Sequence, residues 1–137
     1  RARGNWSLLH PAHARSIEAY LTRTAAKWDV RLLERANVGN HLHLLVRVRS
    51  RRDFQSFLRE LAGGIAMRVT GARKSLELAE GRFWDELAYT RVVEWGRDLK
   101  CTTRYIVTNL FEAAGLISAR DKRKRLRAVE LFREAPG

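Results

Sequence analysis

The chain has 137 residues, one domain's worth, because a second core would leave each half with too little surface to bury. With 45% hydrophobic and 31% charged residues it can pack a core and stay in solution, which excludes collagen-like, disordered and membrane-spanning classes for the whole chain. Lys and Arg number 27 against 15 Asp and Glu, and the resulting charge of +12 points to a polyanionic partner.

A strand at the amino end is expected only in part, since the chain opens at Arg1 without a methionine. Between Pro11 and Trp28 the residues Ile17, Tyr20, Leu21 and Trp28 recur at helical spacing, with Pro11 suited to the helix start. From Val30 the pattern shortens into two β-like runs around Asn37-Val38-Gly39-Asn40, which reads as a hairpin. Ser50 is placed to cap a second helix in which Phe54, Phe57, Leu58, Leu61 and Ile65 face one way. Gly63-Gly64 inside that helix disfavours it by about 1 kcal/mol per glycine relative to alanine, so a close approach by a strand or ligand is expected there. Residues 71–81 read as a loop or short helix, and residues 89–95 as a strand. Asp98 opens a third helix that Gly115 ends. Beyond it, the eight residues 120–127 carry Arg120, Lys122, Arg123, Lys124, Arg125 and Arg127 against a single acid, Asp121, and the segment reads as a basic tail. The order predicts an α+β, ferredoxin-like sandwich over residues 1–117, an antiparallel sheet with helices on one face, followed by a tail over 118–137.

No apolar stretch approaches the ~20 residues of a membrane span and no signal peptide opens the chain, so a cytoplasmic, nucleoid-associated protein without a membrane partner is expected. A single Cys101 allows neither an internal disulfide nor a thiolate metal cage.

Side chains two apart on a strand share a face, so His41 and His43 stand with Leu45, Arg47 and Arg49, opposite Leu42, Leu44, Val46 and Val48. Two neutral imidazoles one strand repeat apart can grip a divalent cation, and the arginines beyond them can hold phosphates; a pair of hydrogen-bonded surface histidines beside a basic patch is the plainer alternative. On the third helix Leu99, Ile106, Leu110 and Ala113 define the expected core stripe, with Tyr105 and Asn109 together on its flank. A tyrosine hydroxyl beside an amide oxygen, across a groove from the histidines, would be a nucleophile beside a further metal ligand.

Asn40-His41-Leu42-His43-Leu44-Leu45-Val46, followed some sixty residues later by Arg104-Tyr105-Ile106-Val107-Thr108-Asn109, resembles the single-tyrosine transposases of the IS200/IS605 type, whose histidine pair flanks one hydrophobic residue. The resemblance is closest to the tyrosine transposases associated with repetitive extragenic palindromes. Arg3-Gly4-Asn5, the stretch from Gly81-Arg82-Phe83-Trp84 to Val92-Val93, and Asn109 to Leu116 are similar to further motifs of that family, so that most of the chain is covered. Leu110 stands where the family usually has proline, and Val38-Gly39 where it usually has Met-Pro.

The resemblance implies that His41, His43 and Asn109 bind Mg²⁺ or Mn²⁺, and that Tyr105 attacks a phosphate of single-stranded or hairpin DNA to leave a 5′-phosphotyrosine. Arg47, Arg49, Arg51, Arg52 and the Arg120–Arg127 cluster would contact phosphates, and Phe83, Trp84 or Trp95 could stack on unpaired bases, although a core role for Trp84 is the plainer reading. The alternatives are a non-catalytic nucleic-acid-binding module on the same fold, and a domesticated or relaxase-like nickase. Monomer and homodimer both remain open.

Overall fold

The computed structural model describes residues 1–3, 6–71 and 83–134. Its elements are α1 (Ala14–Lys27), β1 (Arg31–Asn37), β2 (Leu42–Arg47), α2 (Arg51–Thr70), α3 (Arg97–Ala113) and α4 (Ala119–Glu134), so the expected α+β class holds. The family-like triplet at Gly4-Asn5 and most of the expected loop over 71–81, with Gly81-Arg82, lie outside the described residues.

β1 and β2 form the antiparallel hairpin, joined at Gly39-Asn40, where the Val38 amide donates to the His41 carbonyl at 3.1 Å. Gly39 has φ +95°, and the first position of a two-residue hairpin turn is where glycine meets that demand. A bulge between Leu32 and Glu34 then divides β1 between the two faces of the hairpin. Leu32 pairs with Val46, whereas Glu34 pairs with Leu45 and Ala36 with His43. Leu32, Leu42, Leu44 and Val46 pack against Ile17, Leu21 and Ala25 of α1 and Phe57, Leu61, Ile65 and Val69 of α2.

The opposite face, which helices on one face alone would leave open, is partly occupied. Ala36 and Leu45 are apolar there, and Ile106 and Leu99 of α3 cover them together with Val93. Leu110, expected in the stripe of α3, is exposed, and Asn109 is buried in its place.

Ser50 caps α2 as expected, its Oγ accepting from the Asp53 amide at 3.0 Å. The close approach at the glycine pair is made by a side chain of α1 and not by a strand. The Tyr20 ring of α1 lies so close to Gly64 that a Cβ there would overlap it, while nothing lies within 4 Å of a Cβ at Gly63. Tyr20 also donates to the Glu60 carbonyl at 3.0 Å and carries the Arg68 guanidinium 3.7 Å above its ring. α1 begins at Ala14, after a turn in which the His10 carbonyl accepts from His13 and Ala14, so Pro11 precedes the helix instead of starting it.

Residues 89–95 form no strand. Tyr89, Val92 and Trp95 are exposed, and the segment is tied down by Arg91, which donates to both carboxylate oxygens of Asp98 at 3.0 Å. β propensity needs a neighbouring strand with which to pair, and none flanks this segment among the described residues. At the amino end an isolated antiparallel bridge joins Ala2 to Trp84 among the described residues.

The basic segment is helical. Ser118 Oγ accepts from the Asp121 amide at 3.1 Å and starts α4, which packs on α3. Among the described side chains Lys122, Leu126 and Val129 make the inward stripe at i, i+4 and i+7, and Arg133 one turn on is exposed. Val129 is buried and its carbonyl accepts from the Cys101 thiol, Lys122 pairs with Glu112 at 2.6 Å, and Arg133 approaches Asp98 at 3.7 Å. Among the described residues no helix is long and apolar enough to cross a membrane.

Candidate active site

The histidine pair sits where the hairpin turn enters β2. Asn40 Oδ1, which can only accept, lies 2.5 Å from His41 Nδ1 and so fixes the proton on that nitrogen, leaving the lone pair on Nε2. His41 Nε2 and His43 Nε2 then converge to 3.0 Å, with the rings edge to face. Burial is the main reason that His43 is pushed down to about 4, with the charges of His41 and Lys122 adding to it. His41 is lowered in the same direction, first by burial and then by positive charge that includes Arg1 and Lys122. Both rings are therefore neutral at pH 7, the state in which imidazole ligates a metal.

Tyr105 completes the group. Its ring meets His43 edge to face at 5.5 Å between centroids and is 38% exposed, so a ligand can reach it. At 100° per residue, Leu99 and Ile106 point to the hairpin and Cys101 and Glu112 to α4, which sets Tyr105 in the seam between them. Asn109 lies one turn on, and its Nδ2 donates back to the Tyr105 carbonyl at 2.7 Å. That bond leaves Oδ1 as the only atom of the side chain able to ligate.

Two neutral imidazole nitrogens 3.0 Å apart are donors suited to one divalent cation, and about 3.0 Å is also the edge of an octahedron built on bonds of about 2.1 Å. Among the described residues no three His, Cys, Asp or Glu side chains are grouped to hold a metal. A third protein ligand would therefore have to be of another kind, such as an amide oxygen.

The cations occupy other parts of the surface. Arg47 ends β2, roughly 13 Å along the strand from His43. Arg49 lies past the strand and pairs with Asp29 at 3.3 Å, and Arg51 and Arg52 are exposed in the first turn of α2. On α4, Arg120, Arg123, Lys124, Arg125 and Arg127 are exposed, while Lys122 turns inward toward Glu112. Trp84 sits at the edge of the main core with its indole N–H donating to the Ala62 carbonyl at 3.0 Å, and Phe83 is buried, whereas Trp95 is exposed. Packing accounts for Trp84 without a stacked base.

Two features of this surface are not evident from residue pattern alone. Asn40 orients His41, and its signal is its place directly before the histidine pair. Arg31 stands directly across the hairpin from Arg47, and the bulge hides that register from a strict alternation.

The hairpin and α3 thus define an α+β protein that brings an imidazole pair and a tyrosine together on one sheet face, with a surface rich in cations. The family model described as Transposase IS200 like matches residues 5–109, most of the chain, and the chain belongs to that family of IS200/IS605-type single-tyrosine transposases. It is accordingly a transposase, with DNA as its partner. The comparisons with curated proteins and with solved structures returned no match.

Proposed function

We propose that the protein cleaves and rejoins single-stranded DNA, taken from a hairpin or palindromic end, through a covalent bond to Tyr105. The observation that carries this reading is the meeting of Tyr105 with His43 within one chain, beside the converged nitrogens of the histidine pair.

The Tyr105 hydroxyl gives up its proton as its oxygen attacks phosphorus in the backbone. The new O–P bond leaves a 5′-phosphotyrosine, and the bond to the 3′ oxygen breaks, that oxygen departing as a hydroxyl once it takes a proton. Because the phosphodiester is exchanged and not hydrolysed, a 3′-OH can reverse the step and join strands without ATP. An ordinary tyrosine hydroxyl is a weak nucleophile at neutral pH, so positioning and charge neutralisation have to supply the rate.

His41 and His43 would hold Mg²⁺ or Mn²⁺, with Asn109 Oδ1 as the third protein ligand; when bound, the cation would offset charge on the attacked phosphate. Asn40 keeps the His41 lone pair turned toward that position, and the Asn109 bond to the Tyr105 carbonyl ties the two functional residues to one helical turn. Arg31 and Arg47, directly opposite each other, repel in the absence of an anion, and a backbone phosphate between them would relieve it.

The test is incubation with labelled single-stranded and hairpin oligonucleotides and Mn²⁺. The wild-type protein should form an adduct that survives denaturation, EDTA should abolish it, and Tyr105→Phe should bind DNA without forming it. An adduct of normal yield in Tyr105→Phe would remove the assignment.

A further inference from the structure

A second feature lies on the segment before α1. Trp6, Ser7, His10, Ala12 and His13 wall an open cleft of about 400 Å³, with Val69 from the end of α2 on its remaining side. Trp6 is 40% exposed and is held from behind by the Phe83 ring at 6.4 Å. His10 and His13 stack nearly parallel, 28° apart with centroids at 5.4 Å. Both rings are fixed by the loop itself, for His10 Nδ1 accepts from the Ala12 amide at 3.1 Å and His13 Nε2 donates to the Ser7 carbonyl at 2.6 Å. Those bonds set the tautomers and leave a donor, His10 Nε2, and an acceptor, His13 Nδ1, without a partner among the described residues. A cleft lined by three aromatic rings that carry one donor and one acceptor suits a nucleobase, which stacks by its ring and pairs by its edge.

The cleft is joined to the active site. Leu8, fully buried in the middle of the segment, donates its amide to the Gly39 carbonyl and accepts from Asn37 Nδ2 at 2.9 Å. Gly39 and Asn40 form the turn that leads directly into His41, so cleft and histidine pair are set by one piece of backbone. A chain of charge +12 brings the phosphates of such a strand to this surface.

We propose that this cleft binds one unpaired nucleobase of the DNA strand whose phosphate is presented to Tyr105, so that Trp6 sets the register of the strand on the site. The inference rests on the single-stranded reading of the active site.

It is tested in the Tyr105→Phe protein, where binding is measured without cleavage, using oligonucleotides with one abasic position moved stepwise along the strand. Trp6→Ala should weaken binding of the intact oligonucleotide by roughly five- to hundredfold, the range of one stacked base, and Trp6→Phe should keep most of the affinity. At one abasic position, and only there, Trp6→Ala should have little further effect. If Trp6→Ala weakens every abasic oligonucleotide equally, or weakens none, the inference is overturned. A wild-type adduct without a position-specific effect would sink this inference alone. A position-specific effect without any adduct would leave the cleft standing and remove the cleavage reading.

Discussion

His43 is half-buried between His41 and the Tyr105 ring, and its environment makes the stability of the metal-free protein depend on pH. Its folded-state value of about 4 lies below the ordinary 6.5, so between those values the unfolded chain binds more protons than the folded one. The stabilisation is present above pH 6.5, is lost progressively as pH falls toward 4, and changes no further from this group below that. Thermal melts from pH 7.5 to 4 should show the decline, and His43→Gln should flatten it; an unchanged slope in that variant would place the effect elsewhere. The pairing of His41 with His43 is legible in the sequence because strand alternation puts residues two apart on one side. The meeting with Tyr105 comes from helical spacing and family resemblance together. Periodicity locates Tyr105 and Asn109 on one flank of α3 but misjudges which neighbour is buried, since Leu110 is exposed and Asn109 is not. Hydrophobicity alone cannot anticipate an amide that bonds back to the carbonyl one turn earlier and thereby tolerates burial.

Among the elements, α2 and α4 make contrasting demands on adjacent residues. Gly63 and Gly64 look alike in the sequence, yet only Gly64 lies under the Tyr20 ring. Gly63→Ala should therefore stabilise the protein by about 0.5–1 kcal/mol through helix propensity, and Gly64→Ala should destabilise it by roughly 1–3 kcal/mol through overpacking. Paired denaturant melts decide this, and equal effects at the two positions would contradict the packing. α4 has the composition of a tail because its run of cations dominates, although Ser118 and Asp121 repeat the spacing by which Ser50 and Asp53 start α2. Among the described side chains its inward stripe is sparse, and three positions spread over eight residues are hard to see among so many charges. The sorting of that helix separates stability from binding. Val129→Ala should lower stability by about 1–2 kcal/mol, whereas replacing exposed Arg123, Lys124 and Arg127 with alanine should leave the melt nearly unchanged. The same triple variant should flatten the log–log salt dependence of single-strand binding by about 0.7 for each phosphate that is no longer neutralised, and an unchanged slope would assign those cations to solvent.

For the molecule as a whole, the question is which form of DNA its surface admits. The α+β class is legible from element order, but the sheet holds two strands among the described residues, and residues 89–95 carry β-prone side chains without a partner strand. Sequence pattern reports what a segment would do beside a neighbour and not whether the neighbour is there. The face that matters is bounded by α3 on one side and the hairpin turn on the other, with Tyr105 in a seam and not on a projection. Among the described residues no helix projects there to enter a major groove, and on the proposed reading a phosphate has to reach the partly exposed tyrosine and the imidazoles together. A duplex is stiff on that scale, its persistence length being about 150 bp, whereas on the proposed reading a single strand would bend into the seam, with exposed Arg47 and the outer cations of α4 available to its charge. The net charge of +12 attracts either form, so plain affinity does not discriminate and competition at fixed salt does. Unlabelled single strand or hairpin with an overhang should displace a labelled strand at least tenfold more effectively than random duplex of equal length. If duplex competes as well, the seam is not where the DNA lies, and binding through the basic surface alone, without Tyr105, becomes the better account.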